Sequence, residues 1–231
     1  FVHLGTGNYH ERNARLYTDY SFLTSNKEVC EDVHKVFQQL TGMGKLYKLN
    51  KLWNAPFNLH KKLIKNINNE ISHAIDGKNY EIILKINSLT DPALIKKLYE
   101  ASMAGVSIKL LVRGVCCLRP NIKNISENIH VHSIIGRFLE HSRVYYFNND
   151  NEPVVYASSA DIMERNLYHR VEVAFPILDD EDKARVIQDL KLMLEPHKQN
   201  WILKNSGQYR LENENSELAK VQDKFLEILS L

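Results

Sequence analysis

The sequence predicts an α/β fold, a mixed or parallel sheet flanked by helices, preceded by a partial copy of the same unit. Three observations predict it. From Trp53 onward, apolar runs of strand length alternate with amphipathic segments of helix length. Asp91-Pro92 marks a helix start between two such runs, as in a strand-helix-strand crossover. And Gly5-Thr6-Gly7-Asn8-Tyr9-His10-Glu11-Arg12-Asn13 aligns without a gap on Ser158-Ser159-Ala160-Asp161-Ile162-Met163-Glu164-Arg165-Asn166.

The elements follow in order. The opening reads as a strand at Phe1 to Leu4, a tight glycine turn, and a second strand from Arg15 to Leu23. Asn26 caps a helix whose apolar positions Val29, Val33, Val36, Phe37 and Leu40 share one face. Thr41-Gly42-Met43-Gly44 stops it. Gly42 to Lys45 has the wrong spacing for a phosphate loop, and Leu46 stands where Ser or Thr is needed, so the segment reads as a linker. A second unit, residues 53–231, starts near Trp53, which leaves residues 1–52 as the tail of the first. Behind Pro56, a long helix runs through Leu59, Leu63, Ile67, Ile71 and Ile75 to Gly77. Tyr80 to Asn87 is an apolar strand. Asp91 caps the next helix and Pro92 occupies its first turn. Val106 to Arg113 returns as a parallel strand, which places Arg113 at the carboxyl end, where such sheets gather ligands. Further strands are predicted at Asn128 to Ile135, Arg143 to Phe147, Pro153 to Ala157 and Val171 to Ile177. A helix over about Asp180 to Leu194 follows. A last helix, with Leu218, Val221, Phe225 and Leu229 on one face, is expected to pack on the domain surface.

With 231 residues, 44% of them apolar and 25% charged, the chain can bury a full core. A net charge of +2 excludes a surface that is basic all over, as a non-specific nucleic-acid binder would have. A polyanion would therefore need its cations focused at one place. No apolar run approaches bilayer length, and the start lacks the regions of a signal peptide. Cys30, Cys116 and Cys117 give neither a disulfide framework nor zinc spacing. Cys116 and Cys117 read as small core residues, and the absence of a disulfide pattern fits a cytoplasmic protein.

The repeat carries the chemistry. The register runs from Gly5 to Asp19 against Ser158 to Glu172, so that an acid recurs six residues after the shared Glu-Arg-Asn triplet. Ahead of the second copy lies Phe138-Leu139-Glu140-His141-Ser142-Arg143. Strand alternation puts His141 and Arg143 on one face. Arg165 and Arg170 add cations, Ser158, Ser159 and Asp161 add small polar groups for an anion, and Glu172 is expected to orient the imidazole. A histidine among arginines and hydroxyls suits phosphoryl transfer, in which cations stabilise the transferring oxygens and imidazole attacks or protonates. The histidine segment matching the first copy would fall before Phe1. The chain is thus expected to be a piece of a larger two-halved enzyme.

The duplicated unit resembles the His-x-Lys repeat of the phospholipase D superfamily. Nearly the whole chain resembles the carboxy-terminal half of the polyphosphate kinases. The matching segments are His3-Leu4-Gly5-Thr6-Gly7-Asn8, Ala14 to Tyr20, Leu111-Val112-Arg113-Gly114-Val115-Cys116, Ser126-Glu127-Asn128-Ile129, Phe138 to Tyr145 and Ser158-Ser159-Ala160-Asp161. The resemblance implies a phospholipase D-like sheet. It also implies reversible transfer of the terminal phosphate of ATP to inorganic polyphosphate, through a phosphohistidine and with magnesium. By motif match, Tyr17, Arg113 and His141 fall on nucleotide- and phosphate-contacting positions, with His141 as the second histidine. The phosphorylated histidine and the magnesium ligands are expected upstream, so that this chain alone would not autophosphorylate. ATP, ADP and polyphosphate are the implied partners. A homo-oligomer and peripheral membrane association are expected of the whole enzyme, and nucleic acid is not. One departure from the superfamily is Arg143 in place of lysine, which keeps the charge and favours a phosphate clamp over proton donation.

The alternatives are a phosphodiesterase or nuclease using the same twin-histidine site, and a non-catalytic polyphosphate- or nucleotide-binding module. His130 and His132 alternate like two metal ligands but lack a third, and read as edge-strand residues. Arg119, Lys123 and Arg137 extend a possible polyphosphate path by sign and sequence proximity.

Overall fold

The computed structural model describes residues 1–42, 47–213 and 217–230. The first part carries β1 (Val2–Gly5), α1 (Glu11–Leu16), β2 (Tyr17–Thr18), β3 (Ser21–Thr24) and α2 (Lys27–Leu40). Next come β4 (Trp53–Ala55), α3 (Leu59–Ile75), β5 (Ile82–Ile86), α4 (Pro92–Met103), β6 (Ile108–Val112) and β7 (Ile129–Ile134). Then follow β8 (Leu139–Glu140), β9 (Arg143–Phe147), β10 (Val154–Ser158), a π-helical turn at Arg165–His169 and β11 (Glu172–Pro176). The chain closes with α5 (Asp180–Leu194), β12 (Asn200–Leu203), β13 (Tyr209–Leu211) and α6 (Val221–Leu229).

Nine strands form one mixed sheet in the order β13-β12-β7-β6-β5-β9-β10-β11-β4. The β5-β6 and β6-β7 pairs are parallel, and the α4 crossover between β5 and β6 is the one that Asp91-Pro92 predicts. Asp91 accepts from Leu94 N at 2.8 Å, and Asn26 caps α2 through Val29 N at 3.2 Å. Side chains alternate across the sheet. Ile82, Leu84 and Ile86 of β5, with Tyr145 and Phe147 of β9, pack on one face with Leu59, Leu63 and Ile67 of α3 and Leu94 and Leu98 of α4. Ile83, Val144 and Tyr146 face the other way, toward Val29 and Val36 of α2, Val186 and Leu190 of α5, and Val221 of α6. The helix of the first copy thus belongs to the core of the second.

The repeat is structural as well as sequential. Gly5 pairs with Ser21 in the antiparallel β1-β3 ladder, and the aligned Ser158 pairs with Ala174 in β10-β11. Each ladder is interrupted by a helical turn after the strand. This corrects the expected strand from Arg15, because Arg15 and Leu16 end α1, and extended backbone resumes only at Tyr17. The helix outcompetes the strand where Glu11 and Arg15, one helical turn apart, pair at 2.6 Å and His10 caps the first turn. Trp53, expected only as a unit boundary, lies in an edge strand of the main sheet. Cys117 is exposed and so is not a core residue, whereas burial pushes the Cys116 thiol up to about 11. α6 packs through Val221 and Phe225, whereas of the expected face Leu218 precedes the helix and Leu229 is exposed. Gly42, at φ +70°, follows α2, and the expected linker residues Met43 to Leu46 lie outside the described residues.

Candidate active site

His141 sits between β8 and β9, and its position is fixed before its side chain is considered. The two-residue strand β2, from the first copy, runs parallel to β8 and pairs Tyr17 with Leu139 and Thr18 with Glu140. Beyond that pair, Thr18 O accepts from the backbone N–H of His141 at 3.2 Å and of Ser142 at 2.9 Å. His141 is therefore laid against the residue that precedes Asp19.

Asp19 then takes the ring. Its Oδ2 and Oδ1 lie 2.9 and 3.0 Å from His141 Nδ1. Thr6 Oγ1 donates to Oδ1 at 2.6 Å and holds the carboxylate from behind. A carboxylate on Nδ1 keeps the proton of the neutral imidazole there and turns the Nε2 lone pair outward. Nε2 faces Arg143 Nη1 at 3.1 Å. His141 and Arg143 thus share a face, as alternation predicts. Arg143 is itself clamped: Nη2 reaches Asp161 Oδ2 at 2.9 Å, Nε reaches Oδ1 at 3.3 Å, and Nη1 donates to Thr6 O at 3.3 Å. Such a planar fork cannot be copied by lysine.

Glu172 does not orient His141. It accepts from Ser159 Oγ and, at 2.6 Å, from Asn166 Nδ2, inside its own copy. The acid on His141 is Asp19, the aligned residue of the other copy. Thr6-Asp19 and Ser159-Glu172 are equivalent hydroxyl-acid pairs, but only Asp19 reaches into the other copy. Asp161 is not free for an anion, because it binds Arg143 and accepts from Asn87 N at 2.7 Å. Ser158 and Ser159 likewise spend their hydroxyls on nearby groups.

Arg113 follows β6 at the carboxyl end of the parallel pair, as expected, and Asn87 follows β5 beside it. Arg113 Nε donates to Asn87 Oδ1, and Asn87 Nδ2 donates to His141 O at 3.0 Å. Asn87, which sequence reasoning missed, therefore ties the two predicted cationic and histidine positions together. Burial draws the Arg113 guanidinium below its ordinary value, while Asp161 acts in the opposite direction. The Tyr17 ring lies 4.9 Å from the His141 ring, centroid to centroid. Tyr17, Arg113, Arg137 and Phe138 line a cleft of about 400 Å³, and Arg137 lies over the Phe138 ring at 5.2 Å.

Arg165 and Arg170 are exposed on and after the π-helical turn and stand outside the His141 hydrogen-bond network. Arg119 is spent on Asn205 O, at 2.6 and 3.1 Å. His132 pairs with Asn200 at 3.1 Å, and burial lowers its pKa; β7, which carries His130 and His132, lies between β12 and β6 and is not the edge strand expected. Among the described residues, no three His, Cys, Asp or Glu side chains group as a metal site. No helix among them is long and apolar enough to cross a membrane.

Below His141 lies a second charged group. Lys85 of β5 is buried, donates to Ser142 Oγ at 2.6 Å and lies 3.2 Å from Glu140. Burial lowers the Lys85 pKa. Burial would raise that of Glu140, but Lys85 and hydrogen bonds from Gln222 and Thr18 outweigh it and hold the carboxyl below its usual range.

Fold and site together define a duplicated α/β protein whose Asp-His-Arg-Asp relay, buried from His141 onward, joins the two copies. Residues 52–222 match the family model for polyphosphate kinase C-terminal domain 2, and residues 1–46 that for C-terminal domain 1. The chain belongs to the polyphosphate kinase family. It is 51% identical over 223 residues to a polyphosphate kinase of Burkholderia ambifaria, covering 96% of this chain and 32% of that protein. It is 55% identical over 210 residues to one of Pseudomonas aeruginosa, covering 91% and 30%. The crystal structure of polyphosphate kinase from Porphyromonas gingivalis superposes with a TM-score of 0.94 at 35% identity, over 99% of this chain and 35% of that one. The chain spans about a third of the length of these relatives.

Proposed function

We propose that this chain is the carboxy-terminal catalytic region of a polyphosphate kinase that reversibly transfers the terminal phosphate of ATP to inorganic polyphosphate. The observation that carries the reading is the relay Asp19-His141-Arg143-Asp161, which crosses from one copy to the other. His141 Nε2 is the proton donor or acceptor of the transfer. Asp19 fixes its tautomer and stabilises the imidazolium when it forms. An entering phosphate takes Arg143 Nη1 away from Nε2, so that one guanidinium releases the imidazole and binds the transferring oxygens. Arg113 supplies the second cation, and Tyr17 walls the cleft that receives the nucleotide.

The phosphorylated histidine belongs to the first copy's own motif, in the part of the whole protein that precedes these residues. The repeat supports a role for Glu172 toward it, because Glu172 occupies in the second copy the place from which Asp19 serves the opposite histidine. Arg165 and Arg170 are exposed cations available to a polyphosphate chain. The boundary between the two units lies at 52/53, near the gap between the two family matches. Magnesium would neutralise phosphate charge when bound. The carboxylates beside His141 do not fit the role of holding that ion, being engaged with His141, Arg143 and Lys85. A cytoplasmic, homo-oligomeric enzyme with peripheral membrane contact completes the proposal from family resemblance.

The test is made on the whole protein with ATP labelled at the terminal phosphate. Labelled polyphosphate should grow, and an acid-labile, base-stable phosphate should appear on the protein but not on residues 1–231 alone. Hydrolysis of a phosphodiester without polyphosphate synthesis would replace this reading with the phosphodiesterase one. Ligand binding without turnover would replace it with the binding-module one.

A further inference from the structure

The segment that delivers His141 is gripped from the far side by the last helix. Gln222 of α6 is buried, and its carboxamide engages both backbone groups of Phe138. Oε1 accepts from Phe138 N at 3.1 Å, and Nε2 donates to Phe138 O at 2.9 Å. The same Nε2 donates to Glu140 Oε1 at 2.7 Å. The other oxygen of Glu140 accepts from Thr18 Oγ1 at 2.9 Å and faces Lys85 Nζ at 3.2 Å. Glu140 is followed by His141, and Thr18 by Asp19. One side chain therefore closes a hydrogen-bond ring around the two segments that bring imidazole and carboxylate together.

A second glutamine backs the first. Gln199 Oε1 accepts from Gln222 N at 3.3 Å. Gly136 leaves room for both: a Cβ there would lie 2.8 Å from Gln222 Cδ and closer still to Gln199. Packing alone does not call for this arrangement, since an apolar side chain of the same size would bury α6 without desolvating an amide. What an amide adds is direction, through donors and acceptors that fit one register of residues 138–140.

We propose that Gln222 is a positioning residue, through which α6 sets the register of Phe138–Glu140 against Thr18 and hence the aim of the His141 imidazole at Asp19. The proposal rests on His141 acting in phosphoryl transfer.

In the whole protein, Gln222→Met keeps the volume and removes the hydrogen bonds. A displacement near 1 Å should lower kcat roughly 10- to 100-fold. KM for ATP should stay within about twofold, because Arg113 is untouched and the loss falls on the transition state. The thermal midpoint should move little. In a His141→Ala background the same change should cost nothing further, as residues acting in one unit are non-additive. Gly136→Ala displaces the glutamine ends without altering α6, and should give the same kinetic pattern if Gln222→Met does not fold. Wild-type kcat in a folded Gln222→Met variant, or in Gly136→Ala where Gln222→Met does not fold, overturns the proposal. So does a loss that multiplies fully in the His141→Ala background, which marks a structural defect. If His141→Ala itself turns over normally, the catalytic reading fails and takes this proposal with it. If His141→Ala is inactive while Gln222→Met is normal, only the positioning role fails.

Discussion

Replacing Asp19 by asparagine changes one atom and isolates the cross-copy contact. The carboxylate now meets His141 Nδ1 with oxygens at 2.9 and 3.0 Å and takes Thr6 Oγ1 at 2.6 Å. An amide has only one oxygen to offer. Placed at Oδ1, it serves Thr6 and the ring, but its NH2 then opposes Nδ1–H at 2.9 Å, donor against donor. Placed at Oδ2, it accepts from the ring as a neutral group and turns NH2 to Thr6. The imidazole cannot escape by exchanging tautomers, because a proton on Nε2 would face Arg143 Nη1 at 3.1 Å. In each case the charge that stabilises imidazolium is lost. A hydrogen bond to a charged partner contributes about 1.5–3 kcal/mol. At about 1.4 kcal/mol per tenfold, kcat should fall roughly 10- to 100-fold. The assay is the initial rate of polyphosphate synthesis by the whole protein, with the thermal midpoint measured alongside. A kcat within about twofold of wild type, in a folded variant, would refute the orienting role of Asp19.

Three further outcomes follow from the same geometry. Gly7→Ala would place a Cβ 2.7 Å from Asp19 Cγ and push the carboxylate off His141, so its kinetic defect should not add to that of Asp19→Asn. Asp161→Ala strands a buried guanidinium together with the amide of Asn87; urea unfolding should register a loss of about 3–5 kcal/mol. Glu140 has a lowered pKa in the folded state, so its stabilising contribution is present above its unfolded pKa of about 4.3 and lost as pH falls through the folded one. Glu140→Gln should therefore lower the melting temperature at neutral pH and flatten its decline in acid.

Local grammar made much of the fold legible. Asn26, Asp91 and Pro92 are helix starts whose partners lie within three residues, and the near-continuous apolar runs of β5 and β9 report two buried faces directly. The misreadings share a physical cause. Arg15 and Leu16 look extended in isolation, but a Glu11-Arg15 pair and a His10 cap tip them into helix. β2 and β8 are two residues each, too short for any periodicity, and are held by pairing across the chain. The site was half legible. Arg113 stands out because a charged group closes an apolar strand, and His141 and Arg143 because they lie just ahead of the second copy of the repeat. Asp19 and Glu172 are interchangeable by sequence, and nearness in the chain favours Glu172. Only the duplication, taken as exchange between copies, would have selected Asp19. Asn87 and Gln222 carry no signal at all in a single sequence, since each acts through partners far away in the chain.

The step proposed for His141 is proton transfer during phosphoryl transfer, at a site shared by the two copies. His141→Ala in the whole protein tests it most directly, with both polyphosphate synthesis and ATP regeneration measured. Rates should fall by about 10²- to 10⁴-fold in both directions, the range for loss of a general acid-base, while the thermal midpoint stays close to wild type. A folded His141→Ala enzyme that synthesises polyphosphate at the normal rate would contradict the account.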